Sequence, residues 1–94
     1  MRTAAKVDNN QAAIVRTFRY AGASVLILSA VGKGCPDLLV GWRGENLLVE
    51  CKTKRGTLTP DQKRFFLCWR GNVAVVRNPL EAVELLNEGG KRCM

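Results

Sequence analysis

The stretch Leu47-Leu48-Val49-Glu50-Cys51-Lys52 is apolar enough for a central β-strand, yet an acid and a lysine interrupt it. A strand buried on both faces reads as a continuous hydrophobic run. A carboxylate left unpaired inside one costs several kcal/mol as an order of magnitude. Glu50 therefore requires a partner. Successive side chains of a strand alternate between its faces, so Glu50 and Lys52 share one.

The elements around this strand follow from local signals. Asp8-Asn9-Asn10-Gln11 reads as a helix start, with Asp8 as N-cap and Gln11 reaching back. Ile14, Val15 and Phe18 supply one apolar face, and Gly22 supplies a stop, which predicts a helix over about 9–21. The run at 24–29 reads as a short buried strand, 30–36 as a loop with Lys33 between Gly32 and Gly34, and 37–42 as a second strand. A turn at 43–46 leads into the strand 47–52, and a basic loop spans 53–58. Thr59-Pro60-Asp61-Gln62 opens another helix, with Thr59 as N-cap, that runs to about Arg70. A strand at 73–76 follows, and Asn78-Pro79 begins a last helix that stops at Gly89-Gly90. The order α-β-β-β-α-β-α implies an α/β fold with a small mixed sheet flanked by helices.

The loop between the second and third strands decides whether Asp37 joins Glu50. With Gly44-Glu45 as a two-residue type II′ turn, Arg43 faces Asn46, Leu39 faces Glu50 and Asp37 faces Lys52. Asp37 and Glu50 are then diagonal neighbours on one face, roughly 7–8 Å apart at Cα. Two carboxylates so placed can converge on one cation with a lysine alongside. Hard carboxylate oxygens with water and phosphate suit Mg²⁺ or Mn²⁺. Such an ion stabilises charge developing on a phosphodiester and lowers the pKa of an attacking water. The plain alternative is an ion pair of Lys52 with Asp37 or Glu50 at a sheet end.

Composition narrows the partners. The 94 residues carry 15 basic and 8 acidic side chains, a net charge of +7, which favours a polyanion, nucleic acid first. Ninety-four residues suffice for one domain. The chain has no histidine, so Ser-His and Cys-His nucleophile pairs are excluded. The cysteines at 35, 51, 68 and 93 lack zinc-site spacing, and Cys51 and Cys68 read as small core residues. Trp42 and Trp69 read as core or interface residues rather than base-stacking platforms. No apolar run is long enough to span a bilayer, and Met1 to Asn10 lacks a signal-peptide core, so a cytoplasmic protein is expected.

Gly32-Lys33-Gly34-Cys35-Pro36-Asp37-Leu38-Leu39-Val40-Gly41, followed by Leu48-Val49-Glu50-Cys51-Lys52, resembles the PD-(D/E)XK nuclease signature. More narrowly the chain is similar to stand-alone VRR-NUC domains of the kind found in phages. The likeness covers about residues 8–86 and includes Asp8-Asn9-Asn10-Gln11, Leu58-Thr59-Pro60-Asp61-Gln62 and Trp69-Arg70-Gly71. It implies a restriction-endonuclease-like core and divalent-metal hydrolysis of DNA. It implies metal ligation by Asp37, Glu50 and the Cys51 backbone carbonyl, with Lys52 as the catalytic lysine. Stand-alone relatives are similar to Holliday-junction resolvases, so branched DNA and a homodimer are the implied substrate and assembly. The family's first helix often carries a glutamate where this chain has Gln11 or Ala13, making Gln11 a further candidate ligand beside its capping role. Many relatives have a histidine where this chain has Phe66. Gln62 matches the family's helix-2 glutamine near the lysine, and it also fits the capping box of Thr59. Lys33, Lys54 and Arg55, and then Lys63 and Arg64, are candidates for the nucleic-acid backbone; a solvated charge run is the alternative. Retention of the fold as a non-catalytic nucleic-acid-binding module is the other functional class to be distinguished, and a structural or interaction domain is the third.

Overall fold

The computed structural model describes residues 9–90, so the expected Asp8 cap and Cys93 lie outside the described residues. The elements are α1 (Asn9–Tyr20), β1 (Ser24–Ile27), β2 (Leu38–Trp42), β3 (Glu45–Cys51), α2 (Pro60–Cys68), β4 (Asn72–Val76) and α3 (Pro79–Asn87). The predicted order is the observed one. The four strands form one sheet in the order β1-β2-β3-β4, with the first two pairings antiparallel and β3–β4 parallel.

β3 is internal, and this is why its sequence is apolar on both faces. Leu47 and Val49 enter the larger core with Ile14, Val15 and Phe18 of α1 and Leu85 and Leu86 of α3. Leu48 points the other way, into a smaller cluster with Phe66 of α2 and Val73 of β4. By alternation Glu50 lies on the Leu48 side, the face that α2 covers. Gly34 fastens the β1–β2 loop to that helix: its φ is +80°, and an added Cβ would stand 2.5 Å from the Asp61 carbonyl oxygen. Gly34→Ala is expected to destabilise the fold by more than about 2 kcal/mol, through both the backbone conformation and the clash. A thermal midpoint lower by on the order of 10 °C would report it.

The hairpin register differs from expectation. Trp42 pairs with Glu45, Leu39 with Leu48 and Leu38 with Val49. The turn residues are Arg43 and Gly44, with φ of 49° and 81°. Positive φ at both positions belongs to a type I′ turn, whose twist suits a two-residue hairpin. Arg43 is a poor intrinsic choice for that conformation, but its guanidinium lies 4.9 Å from the centre of the Trp42 ring. That cation–π contact offsets part of the cost. The register is moved by two residues, so every side chain keeps its expected face. Asp37, one residue before β2, consequently stands opposite Glu50 and not opposite Lys52.

Other boundaries shift less. β1 ends at Ile27, and α2 ends at Cys68, where the backbone of Trp69 turns extended. Cys68 is exposed, contrary to the core role expected for it, because α2 buries Phe66 and a residue two positions on lies about 200° further around the helix. Cys51 does pack against the larger core, as does Trp42. Trp69 remains 47% exposed and stacks on Phe65 with ring centres 5.2 Å apart.

Candidate active site

Asp37, Glu50, Lys52 and Gln62 meet at the end of β3, under the first turn of α2. Asp37 is placed by two bonds from neighbouring segments. Its carbonyl oxygen accepts from the Leu28 N–H at 2.6 Å, prolonging the β1–β2 ladder, and its Oδ2 accepts from the Cys51 N–H at 2.8 Å. The carboxylate is thereby tied to the strand that carries Glu50.

Glu50 is 3% exposed. Its Oε2 accepts from Gln62 Nε2 at 3.1 Å and lies 3.9 Å from Lys52 Nζ. Its Oε1 is buried with no hydrogen-bond partner. Burial, then the charge of the neighbouring Asp37 carboxyl, push the Glu50 carboxyl up to about 8, and the Lys52 ammonium opposes them. Two carboxyls this close, one with an oxygen that no donor reaches, require a proton or a cation between them.

Gln62 forms the capping box anticipated for it and also reaches Glu50. Its backbone N–H donates to Thr59 Oγ1 at 3.2 Å and its Oε1 accepts from the Thr59 N–H at 2.9 Å, completing the capping box. The same side chain then spends its Nε2 hydrogen on Glu50. Helix capping thus fixes the group that orients the acid.

The oxygen set fits a hard divalent ion. The unpartnered Glu50 Oε1 and the adjoining Asp37 carboxyl give anionic oxygens with no competing donor at Oε1. Among the described residues no cluster of three or more His, Cys, Asp and Glu side chains surrounds a possible ion. Further positions would fall to backbone carbonyls, water or phosphate, the pattern Mg²⁺ tolerates well.

The remaining candidates are distributed around this centre. Gln11 is 6% exposed, and its Nε2 donates to Ser29 Oγ at 3.1 Å. Lys33, Lys54, Arg55, Lys63 and Arg64 are all exposed. Arg64 pairs with Asp61 at 2.7 Å, an exposed i,i+3 contact of little energetic weight. Lys33 adopts a φ of 55° between Gly32 and Gly34, on the loop that Gly34 packs against α2.

Sequence reading missed two neighbours of the centre. Asn10 reaches from α1 across 42 positions, its Nδ2 donating to the Lys52 carbonyl at 2.8 Å. Because the Lys52 N–H also donates to the Val76 carbonyl at 3.1 Å, the lysine backbone is held from both sides just past the end of β3. The Asn9-Asn10 pair at a helix start gave a signal for capping but none for this contact. Cys35, two residues before Asp37, has its thiol pushed up by burial and by the charges of Glu50 and Asp37, so it stands beside the acids as a neutral group.

Among solved structures, the chain is similar to one described as a VRR_NUC domain, with 32% sequence identity and a TM-score of 0.65 over 82% of this chain and 89% of that one. No protein-family profile matches the sequence, and no curated protein does.

Proposed function

The chain belongs to the VRR-NUC family, a branch of the PD-(D/E)XK nucleases, and from that premise we propose that it is a Mg²⁺- or Mn²⁺-dependent endonuclease hydrolysing DNA phosphodiester bonds. The observation that supports this most is the buried, unpartnered Glu50 Oε1 beside the Asp37 carboxyl, with the Lys52 ammonium on the far oxygen. Asp37, Glu50 and the Cys51 backbone carbonyl would hold the ion, and any share taken by Gln11 would fall to its carbonyl oxygen. Once bound, the ion supplies Lewis-acid neutralisation of charge on the phosphodiester.

The protein's own groups do the positioning. Gln62 fixes Glu50 through Oε2 and leaves Oε1 without a donor. Lys52, anchored at its N–H and its carbonyl, keeps an ammonium at the mouth of the acid pair. There it can orient an attacking water or contact the scissile phosphate. Lys33, Lys54, Arg55, Lys63 and Arg64 would track the strand on either side, as phosphate contacts that position without reading sequence. Branched DNA met in replication, repair or recombination is the proposed substrate, with two copies of the chain acting together in the cytoplasm.

Supercoiled plasmid and four-way-junction DNA, incubated with Mg²⁺, Mn²⁺ or EDTA, test this. Nicking of plasmid or junction that EDTA abolishes is expected, with the junction cut in preference to linear duplex. Metal-independent retention of DNA without cleavage would instead select a binding module that keeps the nuclease fold. Absence of both at low salt would remove nucleic acid from the account.

A further inference from the structure

The segment that follows Lys52 has no regular secondary structure, yet its backbone is closely held. The Gly56 N–H donates to the Thr53 carbonyl at 3.1 Å, closing a turn. Arg77 Nη1 donates to the Thr53 carbonyl at 2.7 Å and to the Gly56 carbonyl at 2.7 Å, with the Lys54 carbonyl at 3.5 Å at the margin. One guanidinium nitrogen has two hydrogens, and the two short bonds use both. Arg77 is itself fixed, since its N–H donates to Glu81 Oε1 in the first turn of α3 at 2.8 Å. The arch closes back on the lysine: a Cβ added at Gly56 would lie 3.4 Å from Lys52 Cδ.

This arrangement sorts the segment into two sides. The carbonyls converge on a half-buried cation, whereas Thr53, Lys54 and Arg55 stay exposed. A loose loop carrying two cations must lose backbone freedom when a nucleic-acid strand orders it. A loop already pinned through its carbonyls has lost that freedom in advance. Arg77 Nη1 has both hydrogens committed to carbonyls and offers none to a phosphate.

We infer that Arg77 is a positioning residue for the DNA backbone: it presets the 53–56 arch beside Lys52 so that Lys54 and Arg55 meet the phosphates without further ordering. The inference rests on the nuclease reading. It assigns to Arg77 an effect on DNA affinity that passes through the loop and not through direct contact.

Steady-state nicking by wild type, Arg77→Lys and Arg77→Ala tests it, together with DNA retention in an Asp37→Asn background, where binding is read without cleavage. Arg77→Ala is expected to raise KM for DNA by about tenfold, while kcat at saturating DNA stays within about threefold. Arg77→Lys, which keeps the charge and three donors but not the planar fork of the guanidinium, is expected to restore part of the loss. The salt dependence separates positioning from contact. A Lys54→Ala change should reduce the slope of log K against log salt by about 0.9, whereas Arg77→Ala should leave it unchanged. Unaltered KM in Arg77→Ala would make the arch a structural staple only and overturn the inference. A slope reduced as far as in Lys54→Ala would overturn it in favour of a direct phosphate contact. Should Arg77→Ala fail to fold, Arg77→Met, which keeps much of the aliphatic stem and has no donor, takes its place, and a wild-type KM there overturns the inference equally. A wild-type protein that neither cuts nor retains DNA defeats the nuclease reading itself, which these outcomes leave standing.

Discussion

Asp37→Asn is expected to reduce metal-dependent nicking by on the order of 10³-fold while leaving the fold intact. The substitution preserves shape and keeps an oxygen able to accept from the Cys51 N–H, the bond that ties this residue to β3. What it removes is one negative charge and one anionic oxygen from a pair in which the other, Glu50 Oε1, has no donor. A weakened ion would show as a Mn²⁺ requirement displaced to higher concentration, readable by titration of nicking or by binding calorimetry. The same change should relax Glu50, because the Asp37 charge is the second-largest cause holding its carboxyl up. Circular dichroism and a thermal midpoint near that of wild type in EDTA would separate loss of the site from loss of the fold. Cutting at an undiminished rate by the folded variant would exclude Asp37 from the metal centre.

The pair was legible because its main determinant has the simplest period in proteins. Glu50 and Lys52 differ by two in a strand, so their common face follows from alternation alone. The face of Asp37 depended on the parity of the hairpin loop, and parity survived an error in its position. Taking Gly44 as the first turn residue moved the register by two, since nothing local marks Arg43 as left-handed; its contact with the Trp42 ring is a tertiary fact. Gln62 was legible as the fourth residue of a capping box, which its bonds to Thr59 complete, whereas its bond to Glu50 depends on how α2 packs over β3. Asn10 and Arg77 were not legible. Their bonds span 42 and up to 24 positions and end on backbone carbonyls, which have no sequence signature. Cys68 shows the opposite failure: an apolar stretch read as core throughout, although only its Phe66 faces the sheet.

Glu50→Gln should abolish cleavage and yet stabilise the metal-free protein above neutral pH. The sign follows from the carboxyl lying at 4.5 ordinarily and at about 8 in the folded protein. Below about pH 4.5 it is protonated whether the chain is folded or not, and its contribution is fully present. As pH rises from there to about 8, the unfolded chain releases the proton and the folded chain retains it, so stability falls through that window and levels off above it. At about 1.4 kcal/mol per pH unit the ceiling is about 5 kcal/mol, and relaxation and water entry around a carboxyl near the end of β3 reduce it to about 2–3 kcal/mol. For a domain of this size that corresponds to a midpoint on the order of 10 °C lower at pH 8.5 than at pH 5 in EDTA. Glutamine removes the titration, and its amide hydrogens can donate to the Asp37 carboxylate, so the variant's profile should be nearly flat across the same range. Mn²⁺ supplies wild type with what the proton supplied, and should raise its midpoint at pH 8.5 far more than at pH 5, with little effect on Glu50→Gln at either. A wild-type midpoint that stays flat between pH 5 and 8.5 without metal would mean that the Glu50 carboxyl is already ionised in the folded protein at pH 5, and that the two acids do not share a proton.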